Sequence, residues 1–202
     1  LIKVSSMPVA GFGVYQKERL VEINPSPALP EGEGGNAKTT KPTPPPTEFV
    51  PALRYVERAT GNIYQTFADK IEERRFSETI IPKVYEAFFG IKGESVVMRY
   101  LKEDGRTIQT FVGNLPKEYL GQDTAESNEV KGTFLPENIK DVSLSADGRS
   151  MLYLFNVGDN MVGTTLDLTT NKKSQIFESA FTEWLSQWPN SKMVALSTKP
   201  SS

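Results

Sequence analysis

SADGRSMLYLF, residues 145–155, sets a polar turn directly against six residues that are nearly all apolar, with no alternation among them. A strand with one wet face alternates apolar and polar residues with period two. A strand covered on both faces reads instead as a continuous apolar run. The pattern recurs along the chain. Lys92-Gly93-Glu94-Ser95 precedes Val96-Val97-Met98, with Gly93 placed as Gly148 is, and Asn190-Ser191-Lys192 precedes Met193 to Leu196. Before each turn lies another short strand: Asp141 to Ser145, Val84 to Phe89 and Glu183 to Trp188. The unit is a strand, a tight polar turn, and a strand apolar on both faces, which places it in a stack of antiparallel sheets.

Radially stacked propeller blades supply that environment, with repeats of about 40–50 residues. The turns are spaced by 55 and 43 residues, and the polar stretch 117–130 accounts for the longer spacing as an insertion. Thr164 to Leu168, a Thr169–Lys172 turn and Ser174 to Phe177 read as an outer hairpin. Tyr55-Val56, Gly61-Asn62 and Ile63-Tyr64 read the same way, because Gly-Asn tolerates the positive φ of a tight turn. Phe67 to Phe76 fits either a short helix or a hairpin with Glu72-Glu73-Arg74-Arg75 at its charged tip.

The expected fold is therefore all-β, made of antiparallel propeller blades, about three and a half of them, with a long Pro-rich insertion. Residues 1–24 are expected to form a hairpin, Ile2 to Val9 with Phe12 to Gln16, as the inner half of the first blade. Residues 25–51 hold eight of the 14 prolines and form a loop or linker, locally polyproline-like at Pro44-Pro45-Pro46. The outer half of the first blade then covers 52–80, the second blade 81–135, the third 136–180, and the first hairpin of a fourth 181–202.

Composition narrows the chemistry. The 202 residues include no cysteine and no histidine. Disulfides, thiolate or imidazole catalysis and Cys- or His-ligated zinc are thereby excluded. No D-x-D-x-D-G or phosphate-binding glycine motif is present, and no cofactor is expected. A net charge of −2 with both signs spread along the chain gives no basic stripe for nucleic acid. No apolar run reaches the ~18–20 residues that span a bilayer. The opening Leu1-Ile2-Lys3-Val4 reads as a processed or engineered end.

Candidate site residues are few. Trp184 and Trp188 lie four apart, on one face if the segment is a strand, either as a stacking platform for a ligand or as part of a face between blades. Acid–base candidates are Glu57, Glu86, Asp104, Asp141, Asp147, Asp167 and Glu183, of which Asp104 and Asp147 precede glycine as turn formers do.

Ser145-Ala146-Asp147-Gly148-Arg149 before one apolar strand, and Trp188-Pro189-Asn190-Ser191-Lys192 before another, resemble the W-S-P-D-G-K signature of WD-like propeller repeats, as in periplasmic TolB-type propellers. Tyr55 to Phe67 resembles the first blade of uncharacterised, membrane-anchored bacterial surface proteins. The first two units lack the Trp-Ser-Pro lead. The resemblance, over roughly 52–198, implies a non-enzymatic scaffold that binds a protein or peptide outside the cytoplasm, with an upstream anchor removed. The alternative is a carbohydrate-active propeller with a carboxylate pair, which would take a glycan.

Overall fold

A computed structural model describes residues 3–21, 45–77, 80–119, 122–123, 129–190 and 192–200 of the chain. Strands β1 (Val9–Leu20), β2 (Thr47–Glu57), β3 (Ile63–Phe67) and β4 (Lys70–Arg75) form one antiparallel sheet in that order. The second sheet holds β5 (Val84–Gly90), β6 (Ser95–Leu101) and β7 (Ile108–Asn114). After β7 come the two-residue strands β8 (Glu118–Tyr119) and β9 (Gln122–Asp123), which pair with each other, and then β10 (Lys131–Phe134), which closes the second sheet. The third sheet is β11 (Asp141–Leu144), β12 (Ser150–Val157), β13 (Asn160–Asp167) and β14 (Lys173–Ser179). A two-stranded sheet, β15 (Trp184–Asn190) and β16 (Met193–Thr198), follows. Three four-stranded meanders and a half-meander are the blades of a partial propeller.

The packing explains the unalternating strands. Successive side chains of a strand point to opposite faces. On β6, Val96 and Met98 enter a cluster with Val56, Ile63 and Phe76 of the first sheet. Val97, between them, enters a cluster with Met151, Tyr153 and Leu166 of the third. On β12, Met151 and Tyr153 face the second sheet, while Leu152 and Leu154 face Trp184, Trp188 and Leu196 of the terminal hairpin. Val96, Val97, Met98, Leu152 and Leu154 are all fully buried. Each such side chain contributes about 1.5–3 kcal/mol relative to exposure, so alternate residues of one strand hold two different blade interfaces together.

The turns that announce β6 and β12 each need a glycine in the same conformation. Gly93 and Gly148 both adopt left-handed φ, +81° and +67°. In the SADG turn the Ser145 hydroxyl donates to Asp147 Oδ1 (2.6 Å), the Arg149 amide donates to the same oxygen (3.1 Å), and the Ser150 amide donates to Ser145 Oγ (2.9 Å). Before β16, Asn190 Oδ1 accepts the amides of Lys192 and Met193 in the same capacity. The half-blade is joined to the third sheet by Asp141, whose Oδ2 accepts both the amide (2.5 Å) and the hydroxyl (2.7 Å) of buried Ser186.

Three expectations change. Residues 9–20 form one strand, not half of a hairpin, and pair along β2 with Phe12 opposite Tyr55 and Glu18 opposite Phe49. The expected hairpin would turn at Ala10-Gly11, between Val9 and Phe12, but Gly11 takes no positive φ. Gly11 lies instead against the backbone of Ala87, so its missing side chain serves the close approach of β1 to β5. The Pro-rich insertion accordingly falls between the first and second strands of its blade. Its expected end is also shortened, because β2 already begins at Thr47. Residues 22–44, including Pro44, lie outside the described residues. Finally, Phe67 to Phe76 is a hairpin, with Ala68-Asp69 at its tip and Arg74 and Arg75 within β4.

Candidate functional site

β1 and β5 run the same way, with Gly11 against Ala87 and the Tyr15 hydroxyl near Phe89 O, and the turns after β5 and β11 meet where the Ile91 amide donates to Gly148 O. A cleft of about 680 Å³ opens there. Its first wall is the end of β1, Gln16 to Glu18, with Phe49 of β2. The second is the turn Ile91 to Glu94, and the third is the segment Asn114 to Lys117 that leaves β7.

The turn is held in an uncommon shape. Ile91, Lys92 and Gly93 have φ of 47°, 53° and 81°. A β-branched residue at positive φ is an outlier that persists only where its surroundings over-determine it. Here they do so from three blades. The Ile91 amide donates to Gly148 O of the third blade (2.9 Å). The Leu115 amide donates to Glu94 O (2.8 Å), fastening the turn to its own sheet. From the first blade, Arg54 Nη1 donates to Gly93 O.

Arg54 forms the floor. It is 1% exposed, donates through Nε to Gln65 Oε1 (2.6 Å), and stacks its guanidinium over the Phe76 ring at 4.1 Å. Tyr15 packs beneath Gly93, where a Cβ would stand 2.7 Å from the ring, and burial pushes its phenol above the usual range against the opposing effect of Arg54. Among the described residues the cleft is lined by Lys17, Arg54, Lys92 and Lys117 and by Glu18 and Glu94.

None of these residues stood out in the sequence. The cations are spread over a hundred positions, and only the Gly93 turn carried a legible signal. Trp184 and Trp188 lie elsewhere, half-buried on one face of β15 against Leu152, Leu154 and Met161. Trp184 Nε1 donates to Phe181 O (2.8 Å), and its ring meets Phe177 edge-on at 5.0 Å.

The seven carboxylates are brought to no common point. Glu57 accepts from Thr60 Oγ1, Glu86 pairs with Arg99 at 2.5 Å, and Glu183 lies 3.4 Å from Lys199. Asp141 holds Ser186. The other three make turns. Asp104 accepts the Thr107 hydroxyl and the amides of Thr107 and Arg106, which hold its pKa down at about 2. Hydrogen bonds from Ser145 and the Arg149 amide lower that of Asp147, and those from the amides of Thr170 and Thr169 lower that of Asp167. Among the described residues no cluster of three or more acidic side chains could hold a metal ion, and no helix is long and apolar enough to cross a membrane.

No family model matches the chain, and comparison with curated proteins gives no match. Among solved structures it is similar to hydrazine synthase of Kuenenia stuttgartiensis, at 12% identity and a TM-score of 0.41, over 66% of this chain and 35% of that one. It is also similar to the β-propeller domain of Myceliophteria thermophila Cps50 (Swd1), at 12% identity and a TM-score of 0.40, over 73% of this chain and 44% of that one. The chain spans less than half the length of either structure.

Proposed function

We propose that the chain is a non-enzymatic binding module that recognises a protein or peptide partner through the strand-end cleft, outside the cytoplasm. The observation that carries this reading is the Ile91–Glu94 turn, tied to three blades in a left-handed shape that projects Lys92 into the cleft. Binding surfaces on loops gain when a rigid frame fixes the loop beforehand, since less ordering entropy is lost on association. The engagement of the candidate carboxylates in turns, ion pairs and blade contacts favours binding over hydrolysis. The extracytoplasmic placement rests on the likeness of residues 145–149 and 188–192 to the signature of periplasmic TolB-type propellers.

The test is selection of peptides from a random library on the immobilised chain. Peptides should be enriched, and their binding should be lost with Phe49→Ala in the cleft and kept with Ile176→Ala on β14. Binding that ignores Phe49 would refute the assignment of the cleft. Turnover of a glycan library that a single carboxylate substitution abolishes would refute the non-enzymatic reading.

A further inference from the structure

We infer that the interface of the second and third blades holds one internal water molecule, bound between Arg99 Nε and the Thr110 hydroxyl, with the Tyr85 hydroxyl as its third partner.

Two blade interfaces carry a buried arginine on a second strand. Arg54 of β2 shares a face with Val56, toward the second blade, and Arg99 of β6 shares one with Val97, toward the third. They are 1% and 8% exposed. Each pairs across its sheet with a residue eleven positions on, Arg54 with Gln65 of β3 and Arg99 with Thr110 of β7. Each donates to a loop carbonyl, Gly93 O for Arg54 and Ile139 O for Arg99. Each also lies against an aromatic ring, Phe76 at 4.1 Å and Tyr85 at 5.5 Å.

The two pairs differ in reach. Arg54 Nε donates directly to Gln65 Oε1 at 2.6 Å. The Thr110 oxygen stands two bonds nearer its own backbone than the Gln65 oxygen does, a difference close to the breadth of one water molecule. Among the described residues Arg99 Nε has no hydrogen-bond partner, and neither has Thr110 Oγ1. The guanidinium is turned so that they approach each other. Nη1 pairs with Glu86 on β5, to one side of β6, and the opposite edge, which carries Nε, faces β7 on the other.

The buried Tyr85 hydroxyl is likewise without a partner. Tyr85 occupies the bulge between Val84 and Glu86, which sets its ring beside Arg99. Buried polar groups left unsatisfied are strongly unfavourable, and ordered water meets them where the protein itself does not reach. The Nε–H group only donates, whereas both hydroxyls donate or accept. One water accepts from Nε and serves the two hydroxyls, which gives it the three bonds typical of an internal water. A halide is disfavoured, because Glu86 already balances the guanidinium at 2.5 Å. The bridge steadies the side chain that holds Ile139 O, where the chain passes from the second blade into β11.

The test is a crystal structure of the full chain, with a second crystal soaked in bromide, beside urea unfolding of Thr110→Val, Tyr85→Phe and the double variant. Density for a water should lie about 2.7–3.2 Å from Arg99 Nε and from Thr110 Oγ1, and no bromide should collect there. Each single substitution should lower the urea midpoint, and the double should lower it by less than the sum, since both act on the same water. Absence of that density, or a bromide peak in its place, would overturn the inference, the second in favour of an anion site. A midpoint that rises with Thr110→Val, as on removing a hydroxyl that nothing satisfies, would overturn it as well. So would strictly additive effects of the two substitutions.

Discussion

Gly148→Ala tests whether the blades are joined through their turns. The substitution has two costs. Gly148 has a φ of +67°, and a left-handed alanine costs about 1 kcal/mol or somewhat more. The added Cβ would also stand 2.8 Å from Ile91 N and 3.1 Å from Gly90 Cα. Both are backbone atoms of the neighbouring blade, so no rotamer change relieves them, and forced overpacking of this kind costs about 1–3 kcal/mol. The sum is roughly 2–4 kcal/mol. Gly105 supplies the comparison: its φ is +65° but nothing lies within 4 Å of its Cβ position, so Gly105→Ala should carry only the conformational cost. Urea unfolding followed by the fluorescence of Trp184 and Trp188 reads both variants at the interface of the third sheet and the half-blade. With a urea m-value of about 1–3 kcal/mol/M, Gly148→Ala should lower the midpoint by on the order of 1–2 M at unchanged slope. If the two variants fall within about 0.5 kcal/mol of each other, the close contact of the Gly148 and Gly90–Ile91 turns does not exist and the stacking described here is wrong.

Met98→Ala should destabilise by about 2–5 kcal/mol, because the side chain is fully buried between the first two blades. Met193→Ala, at a position 60% exposed, should change the urea midpoint hardly at all. Arg54→Leu should cost about 1–3 kcal/mol for each acceptor it leaves buried, Gln65 Oε1 and Gly93 O, and circular dichroism melts of the variant beside the parent measure that loss. Asp104 gives a pH prediction. Its folded pKa of about 2 lies below its ordinary value of 3.8, so its contribution is present above pH ~4 and lost as pH falls through ~2. The protection factor of the Thr107 amide, its exchange measured against the intrinsic rate at each pH, should fall as pH drops through that window, and in Asp104→Asn it should show no such fall.

How far the sequence could be read is clearest at β12. Met151 to Leu154 declared a strand covered on both faces before any neighbour was known, since only a doubly covered strand lacks a polar face. The Gly93 and Gly148 turns were legible because a tight turn requires residue types that few other positions need. Three and a half antiparallel blades followed from those two signals, and the described strands agree. At β1 the same logic failed. Gly11 carries no mark that separates a turn glycine from one that admits a neighbouring backbone, and Ala87, whose backbone it admits, is more than seventy positions away.

Local sequence thus determined what is set by local physics: which segments are strands, where the chain reverses, and which chemistries are absent for want of histidine and cysteine. The cleft belongs to the tertiary structure alone. Lys17, Arg54, Lys92 and Lys117 share no periodicity, and the left-handed Ile91 is imposed by hydrogen bonds from three blades that meet only when they stack. Side chains meet through space and not along the chain, so the lining of this cleft could appear only once the blades had been placed side by side.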